Sequence, residues 1–389
     1  MSDTDEKLGP EAPEMTSAQP EEDSGTASGE ALTLPSFVAG SGALDRLVDT
    51  ARDYAKASTA ENTNRAYAAD WKHFTRWCRM KGWYDQGGAD PLPPSPEMIA
   101  LYLADLAAGS SASSSQSGFG PQSASRSQSA SRPLSVSTIE RRLSGLAWNY
   151  AQRGITLDRK ERHIASVLAG IKRRHARPPV QKEAILPEDI LAMVATLPHD
   201  LRGLRDRAML LLGYAGGLRR SEIVSLDCGK DDTPDSGGWI EILEKGALLT
   251  LNAKTGWREV EIGRGSSDQT CPVQALSQWL HFAKIDFGPV FVSTSRDGTR
   301  ALDRRLSDKH VARLIKRTVR AAGLRSELPE KERLALFSGH SLRAGLASSA
   351  EVDERYVQKQ LGHASAEMTR RYQRRRDRFR VNLTKAAGL

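Results

Sequence analysis

The sequence of 389 residues has few cysteines and no long apolar run. Its three cysteines, Cys78, Cys228 and Cys271, are odd in number and form no CxxC pair, which excludes a disulfide framework and disfavours a cysteine-built zinc site. No stretch approaches the roughly 18 consecutive apolar residues of a transmembrane helix. The first residues, MSDTDE, lack the basic and apolar regions of a secretory signal. These absences predict a protein of the reducing cytoplasm with no membrane partner.

Signatures of several other chemistries are missing as well. The sequence contains no GxxxxGK[ST] phosphate loop, no HExxH zinc motif and no EF-hand pattern. Few carboxylates accompany the chemistry-bearing residues of the second half, which disfavours a two-metal nuclease or transposase core. The sequence therefore predicts no metal site and no cofactor.

Charge is unevenly distributed along the chain. Residues Met1–Pro35 contain nine acidic residues against Lys7 alone, so the net charge of +8 becomes +16 for the remainder. A body this basic is typical of proteins that bind a polyanion, most often nucleic acid. Residues 1–43 are predicted to form a disordered acidic tail, which is interpreted as inert and solubilising. An acidic strand that competes with DNA for the basic body is the alternative.

The first ordered unit, residues 44–176, is predicted to be a helical bundle. Its segments carry apolar residues at helical spacing, as in the stripe Tyr67, Trp71, Phe74 and Cys78. Basic residues predicted on the outward faces of these helices are candidate DNA contacts: Arg65, Lys72, Arg76, Arg141 and Arg142. The Ser-rich residues 110–132 are interpreted as a flexible loop inserted between helices.

A second unit follows a proline-containing linker. Residues 177–185 are interpreted as the linker, because two adjacent prolines stop the preceding helix. Residues 186–389 read mainly as helices and end in a helical tail. Between residues 239 and 262, alternating apolar runs broken by two turn signals predict a small antiparallel sheet. The predicted fold class is therefore mainly α with a small antiparallel β-sheet.

Chemistry-bearing residues are concentrated in five short segments of the second unit. These are Gly217-Leu-Arg-Arg-Ser-Glu222, Lys254-Thr-Gly, His340-Ser-Leu-Arg343, Leu361-Gly-His363 and Met368-Thr-Arg-Arg-Tyr372. Each is weak alone. A histidine and an arginine three residues apart on one helix face, for example, are usually an ordinary surface pair.

The ordered set resembles the tyrosine recombinase (phage integrase) family over nearly the whole ordered chain, and its simple two-domain, Cre-like and Xer-like members in particular. The resemblance implies a helical, SAM-like core-binding domain and an α+β catalytic domain. It implies a catalytic set of Arg219, Lys254, His340, Arg343, His363 and the nucleophile Tyr372, with Glu222 in support. It also implies double-stranded DNA as partner, a homotetramer on two recombination sites, and a bacterial or phage- or plasmid-encoded protein at the nucleoid.

The residue types suit metal-free cleavage of a phosphodiester. Arginine stays charged and donates bidentately to phosphate oxygens, the role predicted for Arg219 and Arg343, with His363 as a third donor. A phenol of pKa about 10 needs a proton acceptor, for which His340 is the candidate. Lys254 is the candidate general acid for the leaving 5′ oxygen. Glu222, one turn from Arg219, is predicted to orient partners rather than to react.

Two alternatives remain open from the sequence. A topoisomerase-like enzyme would nick and reseal DNA without exchanging partners. A DNA-binding regulator would keep the fold but lack activity, although such a protein has no need of the nucleophile.

Overall fold

A computed structural model describes most of the chain. The described residues are 46–47, 49–51, 54, 60–83, 91–109, 132–178, 181–253, 256–363, 365–370 and 383–387. The predicted acidic tail lies outside them, as does the Ser-rich insertion except for Arg132. The chain forms two compact units, Met1–Pro178 and Pro179–Leu389. Across the described residues, no helix is both long and apolar enough to cross a bilayer.

The described part of the first unit is helical. Its helices are α1 (Glu61–Met80), α2 (Pro96–Ala108), α3 (Val136–Ala151) and α4 (Arg162–His175). Polar side chains cap the N-termini of three of these helices, and Glu161 caps α4. The Ser95 hydroxyl accepts a hydrogen bond from the first turn of α2, and the Ser135 hydroxyl does the same for α3.

Aromatic side chains fill the core of the first unit. Phe74 and Tyr102 are fully buried, and their ring centroids lie 5.0 Å apart in an edge-to-face contact. Trp71 makes the same kind of contact with Tyr150, at 5.1 Å. Because Trp71, Phe74 and Cys78 are all buried, the predicted apolar stripe of α1 is confirmed.

One prediction about α3 is wrong. The sequence predicts that Arg141 and Arg142 both point outward, but the Arg142 side chain is only 17% exposed and donates to the Tyr102 hydroxyl at 3.1 Å. Arg141 remains 43% exposed and binds both carboxylate oxygens of Asp70, with Nη2 2.9 Å from Oδ1. Asp70 is buried on α1, and a buried carboxylate requires cationic partners, which these two arginines supply.

The second unit is mixed. Its helices are α5 (Pro187–Ala195), α6 (Leu201–Ala215), α7 (Arg220–Val224), α8 (Pro272–Ala283), α9 (Asp308–Ala321), α10 (Glu330–Leu336), α11 (Gly339–Ser349), α12 (Glu354–Leu361) and α13 (Leu383–Ala386). Its strands are β1 (Leu226–Asp227), β2 (Gly238–Leu243), β3 (Gly246–Ala253), β4 (Gly256–Gly263), β5 (Val292–Thr294) and β6 (Ala301–Arg305). This mainly helical fold with small sheets confirms the predicted fold class.

Four strands form one sheet in the order β1-β2-β3-β4. The strands β2, β3 and β4 are an antiparallel meander, and Ala253 pairs with Gly256 at the end of the second hairpin. Two features were not predicted: β1 pairs in parallel with β2, and β5 and β6 form a separate two-stranded sheet. The strands β1 and β5 have two and three residues, too few for an alternating pattern to be recognisable.

Alternation along β4 separates a core face from a solvent face. Val260 and Ile262 are buried against the core of the unit, whereas Trp257 and Glu259 are exposed. The edge of the sheet next to α12 therefore presents an aromatic and an acidic side chain to solvent.

The segment before α5 is fixed to α11. The Ile185 N–H donates to the Ser341 carbonyl at 3.0 Å, so the end of the predicted linker packs into the second unit. Gly345 permits this approach, because a Cβ there would lie 1.8 Å from the Ile185 carbonyl oxygen. The segment at Ile185 thereby packs closely along one side of the helix that carries the HSLR motif.

Candidate active site

The first candidate residue lies at the start of α7. Arg219 is the residue flanking this helix, and its side chain is 36% exposed. Glu222, one turn later, accepts a hydrogen bond from Arg219 Nη1 at 2.6 Å and another from the Arg219 main-chain N–H at 2.7 Å. The carboxylate therefore fixes both the main chain and the guanidinium of Arg219, in keeping with the orienting role predicted for Glu222.

Arg258, on β4, belongs to the same cluster and was missed in the sequence. Its Nη2 donates to Glu222 Oε2 at 3.0 Å and its Nη1 to the Gln360 carbonyl at 2.7 Å, and its side chain is 12% exposed. The sequence contained a signal for this residue. Arg258 lies two and four residues before the buried Val260 and Ile262, so it lies on the same face of the strand. A charged residue at a core position beside the lysine hairpin indicates a specific partner.

Glu222 is the buried carboxylate that balances these guanidinium groups. Burial raises the pKa of its carboxyl, but the hydrogen bond from the Arg219 main chain and the charges of Arg258 and Arg219 outweigh this and hold the pKa below its usual value. Burial in turn lowers the pKa of Arg258, an effect that the Glu222 charge opposes. Glu222 therefore stays ionised.

Arg343, on α11, is 1% exposed. Its Nη2 donates to the Leu361 carbonyl at 2.7 Å, and its Nη1 donates to the Gly217 carbonyl. These two carbonyls lie two residues before His363 and Arg219, respectively. Arg343 thus ties together the two segments that carry these candidate residues, and direct contact of its fork with phosphate stays a prediction.

Gly217 makes this tie sterically possible. Its φ is +54°, in the left-handed region that favours glycine. A Cβ at this position would also lie 2.5 Å from Leu361 Cδ2, so any side chain would push α12 away from Arg343.

His363 follows the C-terminal end of α12. It is 7% exposed, and its Nδ1 lies 2.9 Å from the hydroxyl of Thr369, a fully buried residue that was not singled out in the sequence. Burial, together with the positive charges of Arg343 and Arg219, lowers the pKa of His363 to about 4. The imidazole is therefore neutral at physiological pH.

His340 lies in the first turn of α11 and is more exposed. Its main-chain N–H donates to the Ser338 hydroxyl at 3.2 Å. Partial burial and the charges of Arg343 and Arg219 lower the pKa of this histidine as well. A neutral imidazole is able to accept a proton, which is the role the sequence predicts.

Two of the predicted catalytic residues lie outside the described residues. In the sequence, Lys254 and Thr255 lie between Ala253 and Gly256, the pair that closes the hairpin of β3 and β4. Tyr372 comes two residues after the described Arg370. The structure therefore brings together Arg219, Glu222, His340, Arg343 and His363, while the positions of Lys254 and Tyr372 stay predictions.

A cavity of about 570 Å³ opens beside His363. Its other lining residues are Thr250, Trp257, Arg258, Glu259, Lys359 and Gly362. The neighbouring cluster contains three guanidinium groups and one buried carboxylate, so it retains positive charge. Such a cluster is suited to bind a phosphate group.

The candidate DNA contacts of the first unit lie on α1 and α3. Lys72 and Arg76 are exposed on α1, and Arg65 is 69% exposed and pairs with Glu61 one turn earlier. Because exposed ion pairs are weak, Arg65 is able to exchange Glu61 for a phosphate. With Arg142 largely withdrawn from solvent, the exposed part of this set is concentrated on α1.

Comparison with known proteins gives three findings. The profile of the phage integrase family matches residues 183–378. The integrase/recombinase xerD homolog of Selenomonas ruminantium is 30% identical over 347 residues, which cover 87% of this chain and 89% of that protein. The tyrosine recombinase XerC of Ralstonia pickettii (strain 12J) is 32% identical over 203 residues, 49% of this chain and 56% of that protein.

The chain belongs to the phage integrase family. This confirms the predicted family and the predicted enzyme class, a tyrosine-type site-specific recombinase. Among solved structures, the XerH site-specific recombinase bound to a palindromic difH substrate, in a post-cleavage complex, aligns with a TM-score of 0.49 and 16% identity. That alignment covers 80% of this recombinase and 76% of the XerH chain.

Replacing Glu222 tests the charge balance of the recombinase. We expect Glu222→Ala to lower the free energy of unfolding by about 3 kcal/mol, because the largely buried Arg258 loses its counter-charge. The matched control is Glu261→Ala, which removes an exposed carboxylate 3.9 Å from Lys359 and should change stability by no more than about 0.5 kcal/mol. Urea denaturation measures the stability of both variants. Equal midpoints for the two variants would show that Glu222 does not stabilise the buried Arg258.

The depressed pKa of His363 predicts a specific acid sensitivity. Below pH about 6.5 the unfolded chain binds a proton at this histidine, whereas the folded chain does so only near pH 4, so stability falls as the pH decreases between these values. We expect this residue to account for a loss on the order of 1–3 kcal/mol between pH 7 and pH 4.5.

The test compares the wild type with His363→Gln, which removes the titrating group. Urea midpoints at pH 7 and pH 4.5 should differ less in the variant, since carboxyl groups elsewhere contribute equally to both proteins. An identical decrease in both proteins would show that His363 does not have a depressed pKa.

Proposed function

We propose that this recombinase cuts and rejoins double-stranded DNA through a 3′-phosphotyrosine intermediate, with Tyr372 as the nucleophile. The observation that carries the proposal is the positive cluster of Arg219, Arg258 and Arg343 next to two histidines of lowered pKa. Such a cluster stabilises the negative charge that builds on a phosphate as it is attacked.

The step assigns one role to each group. The phenol oxygen of Tyr372 attacks the phosphorus, and its proton passes to His340. The bond from phosphorus to the 5′ oxygen breaks, and Lys254 donates a proton to that oxygen, which leaves as a 5′ hydroxyl. Reversal of these transfers by the 5′ end of a second strand rejoins the DNA.

Arg219 and Arg343 have different roles in this proposal: Arg219 donates to the phosphate, and Arg343 positions other residues. Arg219 is 36% exposed and is the candidate for direct contact with the non-bridging oxygens. Arg343 is buried and donates to main-chain carbonyls at both terminal nitrogens, so its charge supports the phosphate while its hydrogen bonds hold Arg219 and His363 in place. His363, neutral at physiological pH, serves as a hydrogen-bond donor.

The mechanism needs neither a metal ion nor ATP. The guanidinium groups supply the positive charge that metal ions provide in other phosphoryl-transfer sites. The phosphotyrosine bond conserves the energy of the broken phosphodiester, which is then available for rejoining.

We also propose that four protomers assemble on two recombination sites, since exchange between two duplexes requires four strand cuts. The C-terminal residues Phe379, Leu383 and Ala387 recur at helical spacing, and α13 is helical around Leu383, whereas Phe379 lies outside the described residues. This stripe is suited to dock on a neighbouring protomer.

The number of protomers in the protein–DNA complex tests this assembly. Mass photometry of that complex should give the mass of four protomers, and a complex of only two protomers would contradict the tetramer.

Two other functions are compatible with this fold, and their reaction products distinguish them from recombination. An inactive DNA-binding relative would form no SDS-stable adduct with a nicked substrate. A topoisomerase-like relative would form the adduct and reseal the strand but would not exchange partners between two sites.

Tyr372→Phe tests the nucleophile. We expect the variant to form no covalent adduct with a nicked duplex, because only the attacking oxygen is lost, and to bind DNA within about threefold of the wild type. Tyr356→Phe, at a 70% exposed tyrosine of α12, is the matched control and should form the adduct normally. An adduct formed by Tyr372→Phe would place the nucleophile elsewhere.

Lys254→Ala tests the general acid. We expect cleavage of ordinary DNA to slow by about 10²-fold or more, and a 5′-bridging phosphorothiolate substrate to restore most of the rate, because a sulfur leaving group needs little protonation. Lys245→Ala, at the exposed turn between β2 and β3, should cleave both substrates like the wild type. A defect of equal size on both substrates would make Lys254 an electrostatic contact instead.

A further inference from the structure

An exposed tryptophan forms one wall of the cavity beside His363. The Trp257 side chain is 61% exposed, although large aromatic side chains usually avoid water. It occupies the solvent face of β4, where a strand needs no apolar residue for its stability. The catalytic roles proposed above make no use of it.

Trp257 is held in position on its protein side. Its ring packs against Trp239 of β2 with a centroid distance of 5.6 Å and an interplanar angle of 52°. Trp239 is itself held, since its Nε1 donates to Glu241 Oε1 at 3.0 Å and the Lys230 ammonium lies 5.7 Å from its ring centroid. The remainder of the Trp257 ring is thus presented to the cavity by a rigid support.

Besides Arg258, two further charged side chains line the cavity. Glu259, two residues along the same face of β4, offers a carboxylate acceptor. Lys359 is 74% exposed and lies 3.9 Å from Glu261, a weak surface pair that leaves its ammonium mobile. The cavity volume of about 570 Å³ lies within the range of small-molecule sites.

We propose that this cavity binds an unpaired nucleobase that carries an exocyclic amino group, cytosine or adenine, next to the scissile phosphate. The base stacks on Trp257, and the Glu259 carboxylate accepts a hydrogen bond from its amino group. Lys359 contacts the phosphate that flanks this nucleotide. The inference rests on the proposed DNA cleavage, because exchange of a cut strand requires bases beside the cut to leave their partners.

The charges on this face of the sheet favour a base over the sugar-phosphate backbone. Glu241, Glu259 and Glu261 all lie on the solvent face with Trp257, and their carboxylates repel a chain of phosphates. A nucleobase is neutral, and its stacking on an aromatic ring does not depend on charge. A cationic side chain of another protomer is the competing occupant, since it would also suit an aromatic ring flanked by carboxylates.

Fluorine NMR provides a local test on the full-length protein. Its seven tryptophans are labelled as 5-fluorotryptophan, and Trp257→Phe identifies the resonance of Trp257. The probes are the trinucleotides d(TCT), d(TAT) and d(TTT), and a fourth in which all three bases are replaced by abasic spacers. We expect the Trp257 resonance to shift with a midpoint about tenfold lower for d(TCT) and d(TAT) than for d(TTT), and not to shift with the abasic probe.

Two variants separate the parts of the site. Glu259→Ala should abolish the tenfold preference while the stacking shift remains. Phe282→Ala, at a side chain that is also 61% exposed but does not line this cavity, should leave every Trp257 midpoint unchanged.

The outcomes distinguish this inference from the proposed function. Equal shifts with the abasic probe, or a shift produced by a tri-arginine peptide and by none of the trinucleotides, would overturn the nucleobase site. Either result would leave adduct formation by Tyr372 untouched. Failure of the wild type to form any adduct would instead overturn the proposed cleavage, whatever the Trp257 resonance does.

Discussion

The site depends on one buried carboxylate placed among guanidinium groups. Glu222 accepts hydrogen bonds from both Arg219 and Arg258, while Arg343 donates to two main-chain carbonyls. Three positive charges are therefore balanced by one negative charge in a partly buried region, where Coulomb interactions are stronger than in water. The imbalance is tolerated because Arg258 and Arg343 also donate to main-chain carbonyls. It leaves a positive potential at the place where α7, α11 and the end of α12 meet.

Burial and that positive potential together determine the protonation of both histidines. Burial and the charges of Arg343 and Arg219 lower the pKa of His340 and His363 alike. Both imidazoles are consequently neutral at physiological pH, which is the state that the proposed mechanism requires of each. Burial and the arginine charges thus act in the same direction on both histidines, while their exposure to solvent differs.

The sequence predicted the elements whose signal is local and missed those whose partners are distant. Helical periodicity located α1, and turn residues located the hairpin that leads to Lys254, because both depend on neighbours within a few residues. The order of motifs identified the residues that converge with Arg219. Arg258 was missed and Arg142 was wrongly turned outward because each is held by a partner far away in the chain, Glu222 and Tyr102, respectively. Periodicity places Arg258 on the core face of β4, but it does not identify the partner of either arginine, because such pairings are set by packing.

The same charge imbalance links the stability of the folded state to the binding of a phosphate. Mutual repulsion among Arg219, Arg258 and Arg343 opposes the close approach of these side chains. A bound phosphate removes part of that repulsion. Binding an anion should therefore stabilise the folded state beyond the direct contacts it makes, by relieving strain that the protein already carries. A phosphate also raises the proton affinity of nearby imidazoles, so the pKa of His340 increases once DNA is in place. In the proposed mechanism, the base that accepts the tyrosine proton would therefore become stronger when the substrate is bound, and activation of the nucleophile would be favoured in the bound complex.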